Sequence, residues 1–236
     1  MICPRRPCVI TAALCYALAA CQDSSGPDPF KPTIDIAICD PSAGPFSASI
    51  TNPYFPAAVG NQWVLEGTED GKAVVLRITA LDSVEDIAGV STRVLEERET
   101  HDGALVEVSR NFLAQAPDGS VCYYGEDVDI YQGGVITGHE SQWRAGVGGA
   151  LPGILMPALP AVGQAFEQEV APGVAQDRVE IVAAGETVTV PFGSFSNTIR
   201  FRETTPLEPG ASSTKVFAQS LGPIVDDAVR LSGKSP

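Results

Sequence analysis

Six glutamates, Glu96, Glu97, Glu99, Glu107, Glu167 and Glu169, fall in stretches whose residues alternate as strands do. Carboxyl pairs on facing strands are the machinery of glycoside hydrolysis, one acting as acid and the other as base or nucleophile. With 29 Asp and Glu in 236 residues, such pairs also arise by chance, so the pattern assigns no catalytic residue. Glu126, Asp127 and Asp129 offer the hard oxygen ligands that Ca²⁺ takes. The glycine and closing glutamate of an EF-hand loop are missing, however, and a turn carrying solvated acids is the expectation. The two histidines, His101 and His139, lie on separate predicted hairpins, which argues against a zinc site. Neither a G-x-S-x-G elbow nor a phosphate loop nor a dinucleotide fingerprint occurs. The expectation is a chain without metal, cofactor or assigned catalytic residue.

Composition narrows the partners. Fifteen Lys and Arg against 29 Asp and Glu give a formal charge of −14. Phosphate affinity comes mainly from Lys and Arg, so nucleic acid is not an expected partner. The 23 glycines and 19 prolines make a turn-rich chain.

The elements that must position these side chains read as strands. Residues 63–66, 73–81, 89–97, 105–115, 120–124 and 135–143 carry alternating apolar residues, such as Val74, Leu76, Ile78 and Ala80 on one face. Between them lie Asp70-Gly71, Asp102-Gly103, Asp118-Gly119 and Gly133-Gly134. Glycine supplies the positive φ that tight hairpins require. The second half continues with 166–170, 178–183, 186–191, 196–204, 214–219 and 224–231. The fold class is all-β, an antiparallel meander of about eleven strands forming a partly closed barrel or a two-sheet sandwich. Residues 50–236 are expected to be one β-rich domain.

Residues 145–166, AGVGGALPGILMPALPAVGQAF, contain no charge, and three prolines and five glycines rule out a spanning helix. One reading is an apolar lid or ligand site presented by Leu151, Ile154, Leu155 and Met156. The plainer reading is that these residues plug one end of the β-domain as core.

The chain begins MICPRRPCVITAALCYALAAC. Arg5 and Arg6 precede a thirteen-residue apolar stretch, shorter than the ~20 residues a spanning helix needs. Leu18-Ala19-Ala20-Cys21 resembles the lipobox of bacterial lipoproteins. That resemblance implies that residues 1–20 are a signal peptide and that Cys21 becomes the lipidated first residue, attaching the chain to a membrane. Gln22 in place of Asp implies the outer membrane. Removing residues 1–20 takes away Arg5 and Arg6, leaving 13 basic against 29 acidic residues and a formal charge of −16. Residues 21–49, rich in Pro, Ser and Gly, read as a flexible tether. Within it Ile34, Ile36 and Ile38 alternate and suggest a short edge strand. With Cys21 acylated, the thiols of the mature chain are Cys39 and Cys122. Two thiols in an oxidising compartment pair, so a Cys39–Cys122 disulfide is expected.

Three further stretches resemble a group of uncharacterised bacterial lipoproteins and secreted proteins: Asn52-Pro-Tyr-Phe-Pro56 with Gly60-Asn-Gln-Trp63; Gly149-Ala-Leu-Pro-Gly-Ile-Leu-Met-Pro157 with Gln168-Glu169; and Val190-Pro-Phe-Gly-Ser-Phe195 with Thr205-Pro-Leu-Glu-Pro-Gly210. The resemblance implies a shared β-rich envelope fold and transfers no catalytic residue. The functional expectation is an anchored envelope lipoprotein whose β-domain binds an apolar ligand or an envelope protein. The alternative is a carboxylate-dependent hydrolase of envelope glycans or lipids.

Overall fold

A computed structural model describes residues 30–236. Its strands are β1 (Gln62–Glu69), β2 (Lys72–Ile87), β3 (Val90–His101), β4 (Ala104–Gln115), β5 (Val121–Gln132), β6 (Val135–Gly138), β7 (Trp143–Arg144), β8 (Gly153–Met156), β9 (Ala165–Glu167), β10 (Arg178–Val190), β11 (Gly193–Thr204), β12 (Ser212–Ala218), β13 (Gly222–Asp226) and β14 (Val229–Ser235). Two-residue turns join the first hairpins: Glu69 pairs with Lys72, His101 with Ala104, and Gln132 with Val135. Asp70-Gly71 and Asp102-Gly103 both hold positive φ at both positions, the type I′ geometry that matches strand twist.

The strands form one antiparallel sheet in the order β6-β5-β4-β3-β2-β1-β14-β13-β12-β11-β10-β9. Two meanders, one from each half of the chain, are therefore stitched side by side through β1 and β14, where Trp63 faces Lys234 and Leu65 faces Leu231. The sheet curls without closing into a barrel, because β6 and β9 do not pair with each other. β8 partly spans the gap. It pairs with β5, while Leu151 just before it bridges Val170. A Cβ on Gly153 would lie 2.2 Å from the carbonyl oxygen of Gln168, so only glycine lets these backbones approach.

Several boundaries differ from the sequence reading. Residues 126–129 continue β5 rather than forming a turn. The expected strands at 178–183 and 186–191 are one bulged strand, β10, and the stretch 224–231 is divided by a turn at Asp227. The result is fourteen strands in place of about eleven.

Residues 30–49, expected to belong to a flexible tether over 21–49, pack on the sheet. Ile36–Cys39 is a 3-10 turn, not an edge strand, and the Asp35 carboxylate accepts from Ala37 N at its start. The amides of Thr33 and Ile34 donate to Ala165 O at 2.7 and 3.2 Å. Tyr124 Oη donates to Cys39 O at 2.8 Å, and Phe46 packs edge-on against the same ring. Apolar anchors spaced through a proline-rich stretch thus hold it against the body. Residues 1–29, including the lipobox and Cys21, lie outside the described residues.

Candidate functional site: a carboxylate-lined cavity

The inward face of the curled sheet changes character along the strands. At one end Phe55 packs against Trp63 and Phe217, and Phe201 packs against Phe166 and Phe217, with ring centroids 5.0–6.3 Å apart. Trp63 Nε1 donates to Leu221 O at 2.7 Å, so the indole is buried with its polar edge satisfied. Two residues further along the same faces, the apolar side chains give way to charges. Leu95 is followed by Glu97 and Glu99 on β3, Phe201 by Glu203 on β11, and Phe217 by Lys215 on β12.

Register brings the carboxyls together. Ile78 faces Glu97 and Leu76 faces Glu99 across β2–β3; Glu99 in turn faces Glu107 across β3–β4. Asp226 reaches the same space from β13. The result is a cavity of about 430 Å³. Its acidic lining is Glu69, Glu97, Glu99, Glu107, Glu140, Asp226 and Asp227; Val74, Leu76, Val106, Ile130 and Val229 supply apolar wall. None of the described residues lining it is basic.

Burial governs the protonation of these groups. Glu97 is only 7% exposed, and its Oε1 is buried without a hydrogen-bond partner. Desolvation pushes its carboxyl up to about 7; Lys215 pulls it down, while Asp226 and Glu126 push it further up. Glu107 is pushed to about 8, by burial first and then by Glu126, Glu99 and Glu97. Burial and the neighbouring Glu99 raise Glu69, and burial raises Asp226 against the pull of Lys215. Glu99 Oε1 lies 2.6 Å from His101 Nε2. Behind the cavity, Lys215 Nζ lies 2.9 Å from Glu203 and 3.9 Å from Asp226. Burial alone would lower the Lys215 ammonium, but Asp226 and Glu203 outweigh it and hold the group charged. Around this ion cluster Asp177 rises to about 6 by burial and by Glu203, and Glu169 rises by burial and by Asp177.

The residues singled out from sequence separate into groups. Cys39 and Cys122 form a disulfide with their Cα atoms 5.5 Å apart. Ile154, Leu155 and Met156 are buried in the core, whereas Leu151 is 51% exposed. None of these four lines the 430 Å³ cavity. Of the six glutamates, Glu97, Glu99 and Glu107 meet in the cavity. Glu96 lies between Arg98 and Arg110, at 3.8 Å from each, on the opposite face of β3. Glu167 lies on β9, and Glu169 is buried. Asp127 and Asp129 face outward to Arg144 and Arg110, each with a contact at 3.1 Å, while Glu126 is buried. No group of three or more His, Cys, Asp and Glu able to hold a metal occurs among the described residues.

Sequence reasoning missed Glu69, Glu140, Asp226 and Asp227. The available signal was parity: Leu95, Glu97 and Glu99 share one face of β3, so a core face runs directly into charges. No protein family, curated protein or solved structure matches this chain.

Proposed function

We propose that this chain is a lipid-anchored binding protein of the bacterial envelope, held to the outer membrane through Cys21, with the carboxylate-lined cavity as its ligand site. The observation that carries the reading is Glu97, a buried carboxyl with an unpartnered oxygen in the wall of a cavity of about 430 Å³. Buried polar groups are normally hydrogen-bonded, and an orphan in a cavity of ligand size is the mark of a partner that binds there. The Cys39–Cys122 disulfide and the lipobox-like Leu18-Ala19-Ala20-Cys21 support an oxidising, extracytoplasmic compartment. The likeness of three stretches to envelope lipoproteins supports the same location. No residue of 145–166 lines this cavity.

Native mass spectrometry of protein extracted from membranes tests this reading. A co-purified small molecule, lost when Glu97→Gln and Glu107→Gln are combined, is the expected result. The Cys21→Ala chain is expected in the soluble envelope fraction, and its continued membrane association would refute the anchor.

One observation favours a second reading, a hydrolase of envelope glycans or lipids. Glu97 and Glu107 are raised to about 7 and about 8, the range in which a carboxyl serves as a general acid at neutral pH. Turnover of envelope glycan or phospholipid preparations, abolished by either Glu→Gln change in a folded protein, would make that reading the stronger one.

A further inference from the structure

We infer that the cavity takes a small organic cation with an apolar body, a protonated alkylamine or arylalkylamine, its charged head seated among Glu97, Glu99 and Glu107 and its apolar part against Val74, Leu76 and Val106. The inference rests on the ligand-binding reading above and specifies the ligand's class. Three observations meet in one place. Seven acidic side chains line the space, Glu99 facing Glu107 across β3–β4, and none of the described residues lining it is basic, so the space disfavours anions and attracts cations. Glu97 Oε1 is buried without a partner and needs a donor. Val74, Leu76, Val106, Ile130 and Val229 give the cavity an apolar wall that a bare metal ion would not use, and no metal-holding group occurs among the described residues. About 430 Å³ lies within the range that accommodates whole small molecules.

Lys215, the buried ammonium behind the cavity, shows the same recognition performed internally. Glu203 and Asp226 hold it at 2.9 and 3.9 Å, while Glu97 Oε1 has no hydrogen-bond partner. Seating that cation requires Glu97 and Glu107 to ionise. Burial sets both high; Asp226 and Glu126 raise Glu97 further and Lys215 lowers it, while Glu126, Glu99 and Glu97 raise Glu107. Below about pH 7 the ligand therefore displaces carboxyl protons into the buffer, and binding tightens as pH rises toward about 8.

The test is isothermal titration calorimetry on the full chain carrying Cys21→Ala, which needs no detergent. The probes are octylamine, its neutral counterpart octanol, and spermidine, which has charge without an apolar tail. Alkylamines, like lysine, remain protonated to about pH 10, so any pH dependence belongs to the protein. The expected result is that octylamine binds at least tenfold tighter than either control. Its affinity should rise several-fold from pH 6 to pH 8, with heats at pH 6 that depend on the buffer's ionisation enthalpy. Glu97→Gln and, separately, Glu107→Gln should each weaken octylamine about tenfold and leave octanol unchanged. If Glu97→Gln does not fold, the Glu107→Gln variant and the wild-type proton release decide. Octanol binding as tightly as octylamine would overturn the cationic class while leaving a ligand site in place. Spermidine binding as tightly would overturn the apolar part of the assignment. If none of the three binds but a small molecule co-purifies from membranes, the class is wrong and the binding reading stands. If nothing binds and nothing co-purifies, both fall.

Discussion

The two ends of the curled interior are built from the same strands and obey opposite physics. At the aromatic end, Phe55, Trp63, Phe201 and Phe217 meet in edge-on and stacked contacts, and the Trp63 indole N–H is paired with Leu221 O. Two residues along β3, β11 and β12, the inward positions become Glu97, Glu203 and Lys215, all buried. Burial stabilises the first set, because apolar area leaves water. It penalises the second, because a carboxylate loses hydration and regains it only through a partner. Lys215 finds such partners in Glu203 and Asp226, whereas Glu97 Oε1 does not. One half of the interior therefore holds the fold together, while the other is kept at the expense of stability, the usual relation between scaffold and site.

The sharpest way to break this contrast is to remove the aromatic anchor. Trp63→Ala should cost about 3–5 kcal/mol, the range for deleting a fully buried aromatic. Urea unfolding followed by circular dichroism measures it. A loss below about 1 kcal/mol would mean that the site, rather than the aromatic cluster, organises the interior.

Next in size is the disulfide. Cys39 and Cys122 are separated by 83 residues and join the 3-10 turn over Ile36–Cys39 to β5. Replacing both with Ala should cost about 2–4 kcal/mol, chiefly by freeing the unfolded chain. Dithiothreitol should lower the urea midpoint of the wild type by a similar amount and leave the double variant unchanged.

The carboxylate end should reveal itself through pH. Glu97 has an ordinary value of 4.5 and rises to about 7 in the fold, so below pH 4.5 both folded and unfolded chains hold the proton. Between about 4.5 and 7 only the unfolded chain ionises freely, and stability falls as pH rises. The loss from Glu97 is on the order of 2–3 kcal/mol by pH 8, and Glu107 carries the decline toward about pH 8. Urea midpoints at pH 5 and pH 8 should differ in the wild type, and the difference should shrink in Glu97→Gln to the part that Glu107 carries. Equal slopes in both proteins would show that Glu97 is not the buried acid it is taken for.

How much of this was legible in the sequence depends on the range of the interaction. Asp70-Gly71, Asp102-Gly103 and Gly133-Gly134 fix hairpins locally, through the positive φ that their backbones adopt, and hence the β1–β2, β3–β4 and β5–β6 pairings. The disulfide was expected because the lipobox resemblance implies an oxidising compartment and sets Cys21 apart from Cys39 and Cys122. Residues 30–49 misled because their composition is that of a linker, while their fixing depends on distant partners: Ala165, Tyr124 and Cys122. The Glu126, Asp127 and Asp129 run read as a turn, because β5 bulges at Gly125 and sends Glu126 inward while Asp127 and Asp129 face arginines. The cavity was the least legible feature. Glu96 and Glu97 are identical in type and adjacent in sequence. Only the curl that brings Asp226 and Lys215 over β3 makes one of them a surface ion pair and the other a buried acid.

That last distinction supports the smallest and most discriminating comparison. Asp127 and Glu97 are both acidic residues in central strands of one sheet, so a carboxyl-to-amide change alters charge equally in the two. Asp127 sits on the wet face beside Arg144, its Oδ1 3.1 Å from Arg144 Nε, with both side chains about a third exposed. Solvent screens such pairs, and Asp127→Asn should cost about 0.2–1 kcal/mol, diminishing in 1 M salt. Glu97→Gln should stabilise the protein at pH 8, because a neutral amide removes the cost of ionising a buried acid. It should leave stability nearly unchanged at pH 5, where Glu97 already holds its proton. The two variants therefore move the urea midpoint in opposite directions at pH 8. If both destabilise, Glu97 is held by a partner that its neighbours provide. If both are neutral, the interior at Glu97 is as wet as the outer face, and the two ends of the molecule differ in composition but not in physics.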